Sequence, residues 1–374
     1  MSEAKTSMAG WTPILVLPNL DIRGIIDCDI AALVPVTDGR VEALRAQHPR
    51  FHDFLSRFQG QFGEQIWPSV ILFRSHAPRS YYTPEALQGF RDLCALSVVP
   101  YARADRLIYE RASPLAHSNI FAFYPWMVDK KFESMLCVNP AMLATHLVEE
   151  FKGQSFPEHG HTSLMERALD EPLIKCLLDC WITRFADTEP DWQGLALFRS
   201  LNMANQAAQV PAHAAASIYD VGRSIALWVS ALEILARPEG GKVDYVVVSD
   251  LIARARWSCS KFTDIVHPVT FRGGTSNRVF TSWLYHHIYQ LRNDFLHGNR
   301  IEASKMTIGA KGNPVIDIAA CLYRMALAAL LDINYMDPHP ENTDNSYMAY
   351  LVSERRRFND FQRKFERALL MALR

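Results

Sequence analysis

The feature that most restricts this chain is the segment Ile218–Ala236, IYDVGRSIALWVSALEILA. Ile218, Val221, Ile225, Trp228, Leu232 and Leu235 recur at three- and four-residue steps and lay one apolar stripe along a helix. Arg237-Pro238 and Gly240-Gly241 stop it. Such a stripe must be buried against other elements, and the chain supplies them. Residues 165–185, 192–207, 245–257, 280–296 and 315–332 carry helical spacing, and 347–373 is a basic helical segment. Residues 258–277, polar and glycine-containing, read as a connection. From about Thr162 onward the chain therefore reads as almost wholly helical.

The first 160 residues read differently. Residues 13–18 (PILVLP), 69–73 (SVILF) and 119–126 (NIFAFYPW) have the make-up of short buried strands, while 40–62 and 84–96 carry helical spacing. Neither a Gly-rich phosphate loop nor a dinucleotide fingerprint is present. With 374 residues, 49% of them hydrophobic and 21% charged, the chain can fill two cores. The reading is α+β overall, with a mixed α/β domain at 1–160, an all-α helical bundle at 161–340 and a basic C-terminal helix at 341–374. The opening residues lack the apolar stretch of a signal peptide. No apolar run reaches the roughly 20 residues that span a bilayer, so a soluble, cytoplasmic protein is expected.

The net charge of −1 argues against a protein that coats nucleic acid by bulk electrostatics, though not against one that grips a few nucleotides locally. The bases are skewed toward arginine, which suits bidentate phosphate contacts. The seven cysteines form no CxxC pair; Cys176 and Cys180 lie one helical turn apart with no second pair to complete a zinc site. They read as buried thiols. His286 and His287 are adjacent and face different directions on a helix. His159 and His161 are better spaced for a metal but have no carboxylate or cysteine cluster beside them. No metal and no cofactor is expected.

The stretch that carries chemistry is IYQLRNDFLHG, residues 288–298. Arg292 and His297 stand near a helix end, and Gly298 sits where a C-cap glycine belongs. Their separation turns a helix by about 500°, leaving the side chains about 140° apart. They converge on one phosphate only if the helix frays or kinks, or if two subunits contribute. Asn293 and Asp294 add hydrogen-bonding groups beside the pair. RNA brings its own nucleophile, the 2′-hydroxyl. An imidazole with a pKa of about 6.5 moves the protons, and a guanidinium stabilises the phosphorane, without a metal. Arg254, Arg256, Lys261, Arg272 and Arg278 outnumber the acids in the stretch before this helix, and Arg254, Arg256, Lys261 and Arg278 are candidate RNA contacts. A similar spacing recurs between Arg111 and His117 around Pro114, off any strong helix, and reads as coincidence.

Together with Ala231-Leu232-Glu233 on the upstream helix, Tyr289-x-x-Arg292-Asn293-x-x-x-His297-Gly298 resembles the HEPN superfamily, particularly its Apea-like branch, over residues 165–335. The resemblance implies a helical bundle with an Arg-x(4–6)-His motif and a composite RNA-cleaving site shared by a homodimer. It assigns Arg292, Asn293 and His297 to catalysis, with Glu233 and Asp294 in support. It further implies a toxin or effector in phage defence by abortive infection. The N-terminal domain, which matches nothing recognisable, would then receive a phage-derived trigger or regulatory partner.

Other readings stand beside this one. Arg292 and His297 could be surface cations complementing a helix C-terminus. Glu233 could be a solvated helix residue or an arginine's structural partner. Glu354 to Arg357, with Arg363, Lys364 and Arg367, could be a solvated face or an RNA or partner contact. The whole could be a non-catalytic RNA-binding or dimerisation module, or the toxin of a HEPN/nucleotidyltransferase toxin–antitoxin pair.

Overall fold

The structure, a computed structural model, describes residues 10–60, 62–109, 117–129, 132, 134–137, 145–147, 154–155, 162–165, 168–186, 189, 191–211, 217–271, 273–335 and 356–374. It is of the mixed α+β class. The chain divides into two compact units, one of residues 1–87 with 117–169 and one of residues 88–116 with 170–374. This differs from the expected division at 160. The segment 88–116 belongs with the later helices, and the C-terminal helix is part of their unit rather than a separate piece.

The first unit opens with β1 (Trp11–Leu17), β2 (Leu20–Ile22), β3 (Ile26–Asp27) and β4 (Ala31–Val34), followed by α1 (Gly39–Gln47), α2 (Pro49–Ser56), β5 (Phe58–Gln59) and β6 (Ser69–Arg74). An antiparallel sheet runs β1-β6-β4-β3. Pro13 cannot donate to a ladder. It sits on the outer strand β1, where the register slips between Pro13 and Leu15. The sheet and α2 enclose a core that includes Val16, Val34, Phe51, Phe54, Phe58 and Leu72.

The chain contributes α3 (Pro84–Leu96), from Gln88 on, and α4 (Val99–Tyr109) to the second unit. It returns to the first for β7 (Trp126–Val128), β8 (Ser134–Cys137), β9 (Thr145–Leu147), β10 (Gln154–Ser155) and β11 (Thr162–Leu164). The strand expected at 119–126 does not form. A 3-10 turn covers Ser118–Phe121, and strand begins only at Trp126. Pro125 interrupts the run, and Tyr124 instead turns inward with its ring centroid 4.9 Å from that of Phe58.

The second unit continues with α5 (Glu171–Ala186), α6 (Trp192–Ala208), α7 (Ile218–Ala236), α8 (Tyr245–Ala253) and α9 (Lys261–Asp264). The polar, glycine-containing stretch then forms a hairpin, β12 (Val266–Phe271) and β13 (Gly274–Val279), before α10 (Phe280–Leu296). His267, Val269 and Phe271 alternate inward, a period-2 signal that the surrounding polar residues mask. Two short strands, β14 (Thr307–Ile308) and β15 (Asn313–Pro314), precede α11 (Val315–Leu330) and α12 (Arg356–Leu370). The unit is thus mainly, but not wholly, helical.

Helix α11 is the axis of this unit; nearly every residue from Val315 to Ala328 is buried. Its two buried charges are paired. Asp317 accepts from Arg103 of α4 at 2.6 Å, and Arg324 donates to Asp170 at 2.7 Å. The basic face expected on the last helix is partly engaged. Lys364 pairs with Asp105 at 2.5 Å and sits over the Tyr101 ring, while Phe365 and Leu369 are buried. No helix among the described residues is long and apolar enough to cross a membrane.

Candidate active site

Helix α7 starts under a capping box, in which the Asp220 carboxylate accepts the Ser217 backbone N–H at 2.8 Å. Ile225, Trp228, Leu232 and Leu235 bury the predicted stripe, whereas Ile218 is 37% exposed. Gly222 lies directly beneath Phe295 of α10. A Cβ at that position would overlap the ring, so the absence of a side chain sets how closely the two helices cross.

Across this crossing Glu233 meets the electrostatic field of Arg292. Burial pushes the Glu233 carboxyl above its ordinary pKa, and the guanidinium pulls it back only in part. The two form no ion pair, and Glu233 has no hydrogen-bond partner among the described residues. Arg292 donates through Nη1 to Asn293 Oδ1 at 2.9 Å, while its Nε is buried without an acceptor. The Tyr285 hydroxyl is also buried and unpartnered. Burial first, and then the Glu233 charge, lift its pKa well above the ordinary value. Buried polar groups are nearly always satisfied, so two unsatisfied ones beside an unpaired, half-buried carboxyl mark a place built for something else.

An aromatic wall adjoins these groups. Tyr245 of α8 stacks on Tyr285 with centroids 5.6 Å apart and donates to the Ser282 carbonyl at 2.9 Å. Phe271 lies 5.0 Å from Tyr245 and 6.1 Å from Tyr289, and the Arg292 guanidinium sits 5.9 Å from the Tyr289 ring. Tyr285, Tyr289 and Arg292 follow at i, i+4 and i+7, one helix face. That spacing is readable in the sequence, although it points equally to an ordinary core. Tyr245 and Phe271 carry no such signal.

His297 is placed apart from this cluster. Helix α10 remains regular to Leu296, and His297 is the cap residue, its backbone N–H bonded to Asn293 O at 2.9 Å. Gly298 takes φ +70°, and the Asn299 N–H closes on Asp294 O at 3.0 Å, completing a Schellman turn. The His297 side chain is exposed and forms no contact with Arg292. The helix neither frays nor kinks, so one chain does not bring the pair onto one phosphate. Asp294 is not open to a substrate either. Its carboxylate accepts from Asn299 Nδ2 and from Lys305 Nζ, both at 2.9 Å, and these bonds hold its pKa low. It anchors the loop that carries His297.

The expected RNA contacts scatter. Arg254 lines a separate cleft of about 460 Å³ with Trp192 and Arg237. Arg256 pairs with Asp332 at 2.6 Å, and Lys261 is exposed on α9. Arg278 alone acts on the aromatic wall, where its charge lowers the pKa of the Tyr245 hydroxyl against the larger effect of burial. Arg111, His159, His161, Arg272, Glu354 and Arg355 lie outside the described residues. Cys176 and Cys180 are half-buried thiols, pushed up in pKa by burial. Among the described residues no group of His, Cys, Asp or Glu could hold a metal ion. No protein-family model, curated protein or solved structure matches this chain.

Proposed function

We propose that the chain is a metal-independent endoribonuclease that cleaves by attack of the RNA 2′-hydroxyl. The observation that carries this reading is the grouping of the buried, unpartnered Arg292 Nε and Tyr285 hydroxyl beside the half-buried, unpaired Glu233 carboxyl. A phosphate that enters there would accept hydrogen bonds from the Arg292 guanidinium and the Tyr285 hydroxyl. Arg292 then stabilises the phosphorane, with Asn293 fixing its orientation. His297 transfers the proton.

Because Arg292 and His297 of one chain diverge on a regular helix, His297 comes from a second copy, and the active species is a homodimer. An isologous interface across the end of α10 would bring each Arg292 to the His297 of the other copy, whose imidazole accepts the 2′-hydroxyl proton and returns it to the leaving 5′-oxygen. The resemblance to HEPN ribonucleases supports this arrangement. By extension it supports a cytoplasmic toxin or effector in phage defence, with the first unit receiving the trigger.

The test is incubation of purified protein with mixed RNA in EDTA, followed by analysis of the ends. Cleavage leaving 2′,3′-cyclic phosphate and 5′-hydroxyl termini is expected. Activity that disappears in chelator and returns with Mg²⁺ or Mn²⁺ rejects the mechanism. His297→Ala and Arg292→Lys should each cost at least roughly 100-fold. A heterodimer of His297→Ala with Arg292→Ala chains should recover part of that loss, and a fully active monomer rules out the shared site. One observation favours a second reading, a non-catalytic RNA-binding module. The His297 ring has no orienting partner, whereas a general base is usually held by a third group. RNA binding without cleavage under all of these conditions identifies that case.

A further inference from the structure

The hairpin β12–β13 brings the Phe271 ring against the aromatic residues of α8 and α10. Val269 is 1% exposed and anchors the hairpin. Phe271, one pleat further along the same face, remains half-buried, and so do Tyr289 and His286 of α10. The His286 ring stands edge-on to Tyr245 at 5.6 Å, and its Nδ1 is buried without a partner. Arg278, on the second strand, is also half-buried and paired in register with His267. On a regular helix Tyr289 falls between the row leading to Arg292 and the row of His286, Asn293 and His297. The rings therefore adjoin the groups assigned above to the phosphate.

We infer that Phe271, Tyr289 and His286, edged by Arg278, form a stacking subsite for an unpaired base of single-stranded RNA beside the phosphate held by Arg292. The inference rests on the RNA reading of that site and adds the substrate class. Two physical points favour a single strand over a duplex. Bases are free to stack on side chains only when they are not paired, and such stacking tolerates any sequence because every base has a π-face. With a net charge of −1, the chain has little bulk attraction for polyphosphate, so affinity must come from local contacts. Arg278 and Arg292 supply cations at the patch, while Lys261 and Arg256 do not reach it. Binding should accordingly fall less steeply with salt than it does for proteins that neutralise many phosphates.

The experiment uses the full chain and a 2′-O-methyl RNA oligonucleotide, which has no free 2′-hydroxyl and is not cut. Binding is followed by fluorescence anisotropy. Phe271→Leu and Tyr289→Leu, which keep apolar volume but lose the ring, should each weaken binding by roughly 5- to 150-fold. Tyr289→Phe should bind like the parent, and the same oligonucleotide annealed into a duplex should bind far more weakly. A measurement free of variants uses wild-type protein with 2-aminopurine in the oligonucleotide. Its fluorescence should be quenched at saturation as the base stacks. Unquenched fluorescence at saturation, or equal affinity for single strand and duplex, overturns the subsite. If the wild type binds through these rings yet never cleaves RNA, the nuclease reading fails and the subsite stands. If it cleaves RNA with binding unchanged in folded ring variants, the reverse holds.

Discussion

Glu233 and Arg292 act on each other's charge without forming an ion pair. The carboxyl titrates above its ordinary value because burial outweighs the attraction of the guanidinium. A group whose folded pKa is raised favours the native state below its unfolded pKa and disfavours it as pH rises through the folded value. Above the folded value the ionised Glu233 therefore opposes folding. Glu233→Gln should raise the urea midpoint at pH 7.5, with the advantage shrinking toward pH 4.5, while RNA cleavage falls. A variant that loses stability at neutral pH would show that the carboxylate is a satisfied structural group.

Gly222 and Phe295 make a second, steric prediction. A methyl group at Gly222 overlaps the Phe295 ring, which must swing aside or carry its helix with it. Gly222→Ala should cost about 1–3 kcal/mol despite its better helix propensity. Chemical denaturation measures this, and a neutral or stabilising result shows that the two helices have room to separate.

The helical unit should not survive removal of residues 1–160. That cut takes away Arg103, which bonds the fully buried Asp317 at 2.6 Å. Leaving a buried charge unpaired costs about 3–5 kcal/mol, a large share of a domain's stability. The 161–374 fragment should be insoluble or lack cooperative melting, and Arg103→Met in the full chain should lower Tm sharply. The double change Arg103→Met with Asp317→Leu should restore part of the loss. A well-folded 161–374 fragment would show that the segment 88–116 is dispensable.

His286 and His287 predict an acid-sensitive fold. Burial keeps the half-buried His286 below the ordinary histidine value of 6.5; His287, more exposed, is lowered too, and the neighbouring His286 and His267 add to that effect. A lowered folded pKa means that the unfolded chain binds more protons near and below pH 6.5. Their contribution to stability is full above that pH and is lost as pH falls through the folded values. Thermal melts from pH 7.5 to 5.5 should show a falling Tm, and His286→Gln should flatten the slope. An unchanged slope in that variant assigns the sensitivity to other groups.

Local patterns in the chain determined a good deal by themselves. The stripe on 218–236 and the bounds of 280–296 follow from helical periodicity and from strong stop signals. The turn after His297 follows from Gly298, because few other residues tolerate its positive φ. The placing of Arg292 and His297 on different sides of one helix was also legible, since it needs only 100° per residue. What tertiary structure alone decided is who meets whom. Asp294 looks like an active-site group in sequence, but the returning loop brings Asn299 and Lys305 onto it. The segment 88–116 sits among strand-like stretches yet belongs to the helical unit, because Arg103 satisfies a carboxylate more than 200 positions away. Phe271 and Tyr245, far apart in the chain, reach the Arg292 face only once the hairpin folds down on α10. Periodicity reports the face a residue shows, whereas burial and pairing depend on partners distant in sequence, and no local pattern encodes those.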